Sequence, residues 1–402
     1  MSVWDDLVGQ EPAVAVLRKA VDGAAAALRG ERGPAVAGMT HAWLITGPPG
    51  SGRSNGGRAF AAALQCANNG CGECNDCRTA LSGAHPDVSL IRTELLSIRV
   101  SEVRELVRRA AMSPTQGRWQ VMVVEDADRL TEQAADALLK SIEEPSPRTV
   151  WVLCAPTVED VVPTIRSRCR LLVLRTPPVA AVAEMLSRTL EIGQDLAWFA
   201  ARAAQGHIGR ARALARDEAV RERRNKVLEV PFALRDLGAC LKAAQRLVEA
   251  AKEEAKASAE KVDEKERAAL EQALGVGTKG ARPREANAAL KELEDQQKAR
   301  AKRWERDVLD RSLVDLMALY RDVLVVQTGS GSELINAELQ RNIEQLGSRT
   351  TPEQTVRRID AIAMCREAIE ANVAPLVALE AMTVGLFEGR SDGFTIPRRP
   401  QR

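Results

Sequence analysis

The segment Gly47-Pro48-Pro49-Gly50-Ser51-Gly52-Arg53-Ser54 constrains this chain more than any other. It follows a short apolar run, His41-Ala42-Trp43-Leu44-Ile45-Thr46, and opens a helical pattern. A glycine-rich turn with this spacing between a strand and a helix is a phosphate-binding loop, in which backbone N–H groups and the helix N-terminus face an anion. Continuous apolar runs at 120–124 and 150–154 suit strands buried on both faces, 171–174 reads as a further strand, and helical patterns at 100–111 and 131–142 alternate with them. Alternating strand and helix units predict an α/β domain with a parallel sheet over residues 1–177.

Beyond Thr176-Pro177-Pro178 the strand signals fade. Residues 178–216 read as a small helical domain interrupted at Gly193 and at Gly206-His207-Ile208-Gly209, and 217–388 read as helix almost throughout. Within the latter, 252–306 is dense in Ala, Glu, Lys and Arg, with acids matching bases. That balance predicts a solvated antiparallel helical hairpin and not a basic arm for DNA. The Gly/Pro/Arg-rich end, 389–402, is expected to fray.

Composition narrows the function classes. Across 402 residues, 45% hydrophobic and 28% charged residues describe a globular chain. A net charge of +2 with 3% aromatics gives no overall basic field, so any nucleic-acid contact is local or shared with partner chains. The lack of an apolar run near the ~18 residues a membrane helix needs excludes an integral membrane protein. Met1-Ser2-Val3-Trp4-Asp5-Asp6 lacks the basic and apolar blocks of a signal peptide, which predicts a cytoplasmic protein.

Four segments carry chemistry. In the phosphate loop, the position where a compact lysine ammonium reaches the phosphates holds Arg53, a longer, planar cation, so nucleotide binding is plausible and hydrolysis is not expected. The acidic half of the site is Glu125-Asp126 after the run Val121-Met122-Val123-Val124. A magnesium-water ligand and a catalytic carboxylate normally stand there as aspartate then glutamate. The inverted order moves each carboxylate by about 1.5 Å, enough to spoil metal geometry. Cys66, Cys71, Cys74 and Cys77 form C-x4-C-x2-C-x2-C, which can close a tetrahedral, structural zinc shell; an iron–sulfur cluster or plain reduced thiols are the alternatives. The other four cysteines are scattered, and no disulfide framework is expected. Finally, Ser167-Arg168-Cys169 places an arginine just before a strand, where it serves either as a surface ion-pair partner or as an arginine finger reaching across a subunit boundary.

Taken together, these residues resemble the clamp-loader subunits of bacterial DNA polymerase III, and among them the delta-prime family. The resemblance is carried by Val8-Gly9-Gln10, the phosphate loop, the cysteine insert, Gly83-Ala84-His85-Pro86-Asp87 and Val103-Arg104-Glu105-Leu106. Further on, Ala137-Leu138-Leu139-Lys140-Ser141-Ile142-Glu143-Glu144-Pro145 and Pro163-Thr164-Ile165-Arg166-Ser167-Arg168-Cys169 add to it. It covers about residues 4–216; beyond that only helical character is shared. The cysteine insert and the Leu-Leu-Lys…Glu-Glu-Pro run also occur in the gamma and tau motor subunits, which keep a lysine in the loop. The degenerate loop and the His-Pro-Asp segment favour delta-prime.

The resemblance implies an AAA+ fold: a nucleotide-binding domain over 1–177, a helical lid over 178–216, and a helical collar over 217–388 that joins a five-subunit ring. It implies a stator acting with gamma/tau and delta subunits, the sliding clamp and primer-template DNA. It assigns Arg168 as a finger on a neighbour's ATP, Arg210 as the lid arginine and Thr157 as a γ-phosphate sensor. Gly47, Gly50, Ser51, Gly52, Arg53, Ser54, Glu125 and Asp126 would line the nucleotide site in cis, with ATP and Mg²⁺ in doubt there. Zinc is the expected structural metal. A gamma/tau-like motor ATPase and a stand-alone AAA+ DNA-repair ATPase are the other readings. Polymerase activity, which needs a carboxylate pair absent here, would belong to the holoenzyme.

Overall fold

The computed structural model describes residues 2–93, 97–274 and 284–388, so the tail expected to fray, 389–402, lies outside the described residues. The chain divides into two compact units between Arg216 and Asp217. Among the described residues no helix is long and apolar enough to cross a membrane.

The first unit opens with α1 (Glu11–Leu28) and β1 (Ala42–Thr46), continues through α2 (Arg53–Gln65) and α3 (Asn75–Ser82), and reaches β2 (Val88–Ile91) and α4 (Val100–Ala110). Then come β3 (Gln120–Val124), α5 (Glu132–Glu143), β4 (Thr149–Ala155), α6 (Pro163–Arg166) and β5 (Arg170–Val173). Helices α7 (Val179–Leu190), α8 (Gln194–Ala203) and α9 (Ile208–Arg216) complete it. The five strands form one parallel sheet in the order β2-β3-β4-β1-β5.

Alternation along the strands builds a core on each face. Trp43, Ile45, Val121, Val123, Val150 and Val152 pack with Leu17, Phe60 and Leu64 of α1 and α2. Leu44, Met122, Val124, Trp151 and Leu153 pack on the other face with Val103, Leu106, Leu138 and Ile142 of α4 and α5. Both faces of β1, β3 and β4 are covered, which is why these strands read as unbroken apolar runs. Helix α5 starts where Thr131 accepts a hydrogen bond from the Ala134 N–H at 3.3 Å, and it ends just before Pro145, which cannot continue it.

This order controls the chemistry. β4 lies between β1 and β3, so the loop after β1 and the acids after β3 face each other across the end of β4. Ligands of open parallel sheets bind at that carboxyl edge. An inserted strand between the loop strand and the acidic strand, with three small helices following, is the AAA+ arrangement of an α/β fold.

The second unit contains α10 (Glu218–Leu228), α11 (Val230–Ala233), α12 (Leu237–Ala273), α13 (Arg284–Thr328), α14 (Gln340–Ser348), α15 (Pro352–Glu370) and α16 (Pro375–Glu388). Leu247, Val248, Leu309, Leu313, Leu316, Ile362, Leu379 and Met382 bring α12, α13, α15 and α16 around one core. A buried polar network fixes the segment after α13: Arg224 pairs with Asp315 at 3.2 Å and with Glu338 at 3.1 Å, and donates to the Asn336 side-chain Oδ1. Asp322 accepts from the Asn336 N–H at 2.7 Å. Helices α12 and α13 run antiparallel, with Glu254 facing Arg311 and with Asp263 and Glu266 facing Arg300. The turn between them, 275–283, lies outside the described residues.

Candidate functional sites at the sheet edge and the cysteine insert

The phosphate loop sits at the end of β1, with Gly52 in the left-handed region (φ 96°) immediately before α2. Gly50 has φ 81°, and a Cβ there would come within 2.3–2.5 Å of His207. Only glycine lets the turn before α9 pack this closely, and the Ile208 N–H donates to the Gly50 carbonyl at 3.3 Å. Gln10, nearly fully buried, ties the N-terminal segment to the same place. Its amide donates to the Arg175 carbonyl at 2.6 Å and to the Ser51 carbonyl at 3.4 Å, and accepts from the Arg175 N–H at 3.1 Å.

Arg53 does not project into open space: its guanidinium donates to the Gly47 carbonyl of its own loop. Burial lowers its pKa from the ordinary arginine value, against the nearby Asp128 and Asp126 charges. The Ser51 hydroxyl is fully buried with no hydrogen-bond partner, while Gly47 is buried and Ser54 partly exposed. Across the site, Glu125 is 5% exposed and pairs with Arg58 of α2 at 2.5 Å. Asp126 is half-buried beside it, and burial raises the pKa of Asp128. Thr157 lies past the end of β4, exposed, with its hydroxyl and N–H both on Asp160 at 2.8 Å. Arg210 lies in the first turn of α9, its N–H donating to His207 Nδ1 at 3.2 Å. The folding of this unit therefore collects Gly47, Gly50, Ser51, Gly52, Arg53, Ser54, Glu125, Asp126, Thr157 and Arg210 around one edge, with arginines already meeting two of its acceptors.

The cysteine insert begins where α2 ends. Cys66 is its C-terminal cap and Cys74 the N-cap of α3, accepting from the Cys77 N–H. The four Sγ atoms of Cys66, Cys71, Cys74 and Cys77 lie within 4.8 Å of one another, with Cys66–Cys71 and Cys66–Cys74 both 3.7 Å. A tetrahedral zinc–thiolate centre with ~2.3 Å bonds has sulfur–sulfur edges of about 3.8 Å, so the cluster fits a metal such as zinc. The N–H groups of Glu73 and Cys74 lower the Cys71 thiol to about 7, whereas burial raises those of Cys74 and Cys77. Gly70, at φ 97°, is essential to this turn: a Cβ there would lie 2.6 Å from Val3.

A strap, Thr115 to Trp119, supports the same end of α2. Gln65 accepts from the Arg118 N–H at 2.9 Å and donates to the Trp119 carbonyl at 2.5 Å, and Arg118 reaches the Cys66 carbonyl at 2.9 Å. The strap is held in turn by Asp87, which is 1% exposed. Asp87 accepts from the N–H groups of Thr115 (2.7 Å), Gln116 (2.8 Å) and Gly117 (2.5 Å) and from the Thr115 hydroxyl (2.8 Å). Burial alone would raise this carboxyl; the donors outweigh it and hold it below the usual range.

Arg168 stands apart, on the exposed turn between α6 and β5. Its Nη1 donates to the Thr164 carbonyl at 2.7 Å and to Ser167 Oγ at 3.2 Å, and its Nη2 pairs with Glu143 Oε1 at 2.5 Å. The flanking Arg170 is different: it donates to the Gly38 carbonyl at 2.7 Å and lies 5.0 Å over the Trp43 ring. In the sequence Gln10, Asp87 and Glu143 stand inside motifs that give them no role, His207 stands in a helix interruption, and Arg58 belongs to no motif. Only the fold shows which groups these five face.

Residues 35–178 match the family model described as DNA polymerase III, delta subunit. That span includes every site residue expected from the sequence except Arg210. The delta-prime subunit of DNA polymerase III from Pseudomonas aeruginosa is 38% identical over 156 residues, covering 37% of this chain and 48% of the relative. The Bacillus subtilis delta-prime subunit is 25% identical over 357 residues, covering 87% of this chain and 92% of the relative. The gamma/tau subunit from Mycobacterium tuberculosis is 31% identical over 191 residues, covering 46% of this chain and 31% of the relative. The chain thus spans about half of the Pseudomonas relative and a smaller share of the gamma/tau relative. The family model and the delta-prime relatives point the same way, and residues 35–178 of this chain are similar to the delta-prime subunits of DNA polymerase III.

Proposed function

We propose that this chain serves as the delta-prime subunit of a bacterial clamp loader, in the cytoplasmic replication machinery. It would act with gamma/tau and delta subunits to place the sliding clamp on primer-template DNA. In this reading residues 178–216 are the lid, 217–388 are the collar joining the ring, and Cys66, Cys71, Cys74 and Cys77 bind one structural zinc ion. A closed thiolate shell leaves no open coordination position, so the metal's contribution is to folding. The chain is a stator: Arg53 and the Arg58–Glu125 pair fill its own nucleotide site, and ATP binds there weakly without turnover. The observation that carries the reading is the contrast between those inward-turned arginines and Arg168, whose contacts within its own domain lie on an exposed turn. A guanidinium there can stabilise charge on the γ-phosphoryl group of a neighbouring ATP, with its planar fork matching the phosphate oxygens.

The test uses the reconstituted complex. Arg168→Ala should leave folding and assembly intact, because the side chain is exposed and its removal opens no cavity. Clamp- and DNA-stimulated ATP turnover should fall several-fold: a finger is worth on the order of 10³–10⁵ at its own site, while other sites keep theirs. Arg168→Lys should recover little of it. Arg166→Ala is the control; Arg170 is unsuitable because it packs on Trp43. Wild-type turnover in Arg168→Ala, or an equal loss in Arg166→Ala, would remove the assignment. The gamma/tau match supports a second reading, a motor ATPase, which predicts magnesium-dependent hydrolysis by the isolated chain.

A further inference from the structure

We propose that Glu143 is a positioning residue for Arg168, a carboxylate that parks the guanidinium on its own domain until a neighbouring subunit's phosphate displaces it. The inference rests on the reading of Arg168 as a finger. Glu143 is the last residue of α5, and its Oε1 lies 2.5 Å from Arg168 Nη2. The other terminal nitrogen is also engaged within the domain, on the Thr164 carbonyl and the Ser167 hydroxyl. A fork with both terminal nitrogens committed in cis cannot grip a phosphate through two parallel hydrogen bonds, so docking on a neighbour must exchange at least the Glu143 contact.

The pair is built for exchange. The side chains are 39% and 45% exposed, so water and salt screen the attraction, and holding two long side chains in one geometry costs entropy. A triphosphate carries more charge than one carboxylate and accepts through more oxygens, so it wins the competition once it is in reach. After the exchange the Glu143 charge must also move away from the incoming phosphate, since like charges at that distance repel. The position of Glu143 thus sets how much nucleotide affinity is spent on recruiting the finger. Surface pairs of this kind shift an equilibrium by no more than about fivefold.

The experiment is Glu143→Gln in the reconstituted clamp loader, reading the ATP concentration for half-maximal clamp-stimulated turnover separately from kcat. Glutamine keeps the shape and removes the charge, and a melting curve checks the fold. The half-saturating ATP concentration should fall about two- to fivefold, with kcat within twofold of wild type. In an Arg168→Ala background the same substitution should change neither value. An unchanged half-saturation in the otherwise wild-type chain overturns the proposal, as does an equal shift without Arg168, which would make Glu143 a plain surface charge. If Arg168→Ala itself behaves as wild type, the finger reading has failed; if it is impaired while Glu143→Gln is silent, only the parking role falls.

Discussion

Helix α2 carries a candidate ligand site at each end, and the two are in opposite states. At its C-terminus the four cysteine sulfurs converge at distances a metal tetrahedron requires, with backbone N–H groups directed at Cys66 and Cys74. At its N-terminus the loop keeps its glycines, but the chain's own groups fill it: Arg53 on the Gly47 carbonyl, Arg58 on Glu125, and His207 against Gly50. Anions and cations can be supplied by a ligand or by side chains, and the two ends of one helix are arranged for the two different solutions. The difference teaches that a motif's spacing reports a backbone conformation. Whether a ligand enters depends on what the neighbouring side chains already satisfy.

The largest effect should come from taking away the metal at the cysteine end. Wild-type protein should contain about one zinc per chain by elemental analysis. Cys77→Ser, at a fully buried position, should lose that metal. Metal binding here is folding free energy, and because the insert rests on an already formed sheet the loss should be on the order of 3–5 kcal/mol. For a unit of about 200 residues that lowers Tm by roughly 10–15 °C. Arg53→Ala, at the other end of the same helix, should cost far less. Metal-free wild-type protein, or equal losses at the two ends, would erase the contrast.

Asp87 gives an intermediate effect and sharpens the same comparison, because its strap braces only the cysteine end. In Asp87→Asn one carboxylate oxygen becomes an NH₂ facing backbone donors, which should cost about 2–4 kcal/mol. The sign with pH follows from the depressed carboxyl. Its contribution is complete above the unfolded value, near 4 for aspartate, and is lost as pH falls through the lower folded value. Melting curves should therefore show the gap between wild type and Asp87→Asn constant from pH 7 to about 5 and narrowing below about 4. A gap that persists unchanged at low pH would mean that the carboxylate charge is not what holds the strap.

Much of this arrangement was legible beforehand, for physical reasons. The buried strands announce themselves because apolar residues must cover both faces, so 120–124 coincides with β3 and 150–154 falls within β4. β2 escaped notice: it has four residues at the sheet edge, with Ser89 among them. The four-cysteine cluster was readable because its members are close in sequence. The closed state of the phosphate loop was not, because the groups that close it, Arg58 with Glu125 and His207 with Gly50, are 67 and 157 positions apart. The same holds for Glu143 and Arg168, which sit in separate motifs with no signal that they touch.

The smallest expected effect is at the phosphate loop, where the prediction is near silence. A ligand stabilises a fold by RT ln(1 + [L]/Kd), so at a Kd of about 1 mM, 1 mM Mg·ATP or Mg·ADP adds only about 0.4 kcal/mol. In a unit of this size that raises Tm by roughly 1 °C. Arg53→Lys should not change this much, although it restores the usual cation, because Arg58 still neutralises Glu125 and the acids still stand in the inverted order. Turnover by the isolated chain should stay at background in both proteins. Restoring the order as well, with Arg53→Lys, Glu125→Asp and Asp126→Glu together, is the minimum expected to recover measurable magnesium-dependent hydrolysis, since the metal-water ligand and the catalytic carboxylate then regain their usual lengths. A large Tm shift with Mg·ATP, or robust hydrolysis by the wild-type chain alone, would show that the internal arginines yield to nucleotide. The two ends of α2 would then be alike, and the motor reading would replace the stator.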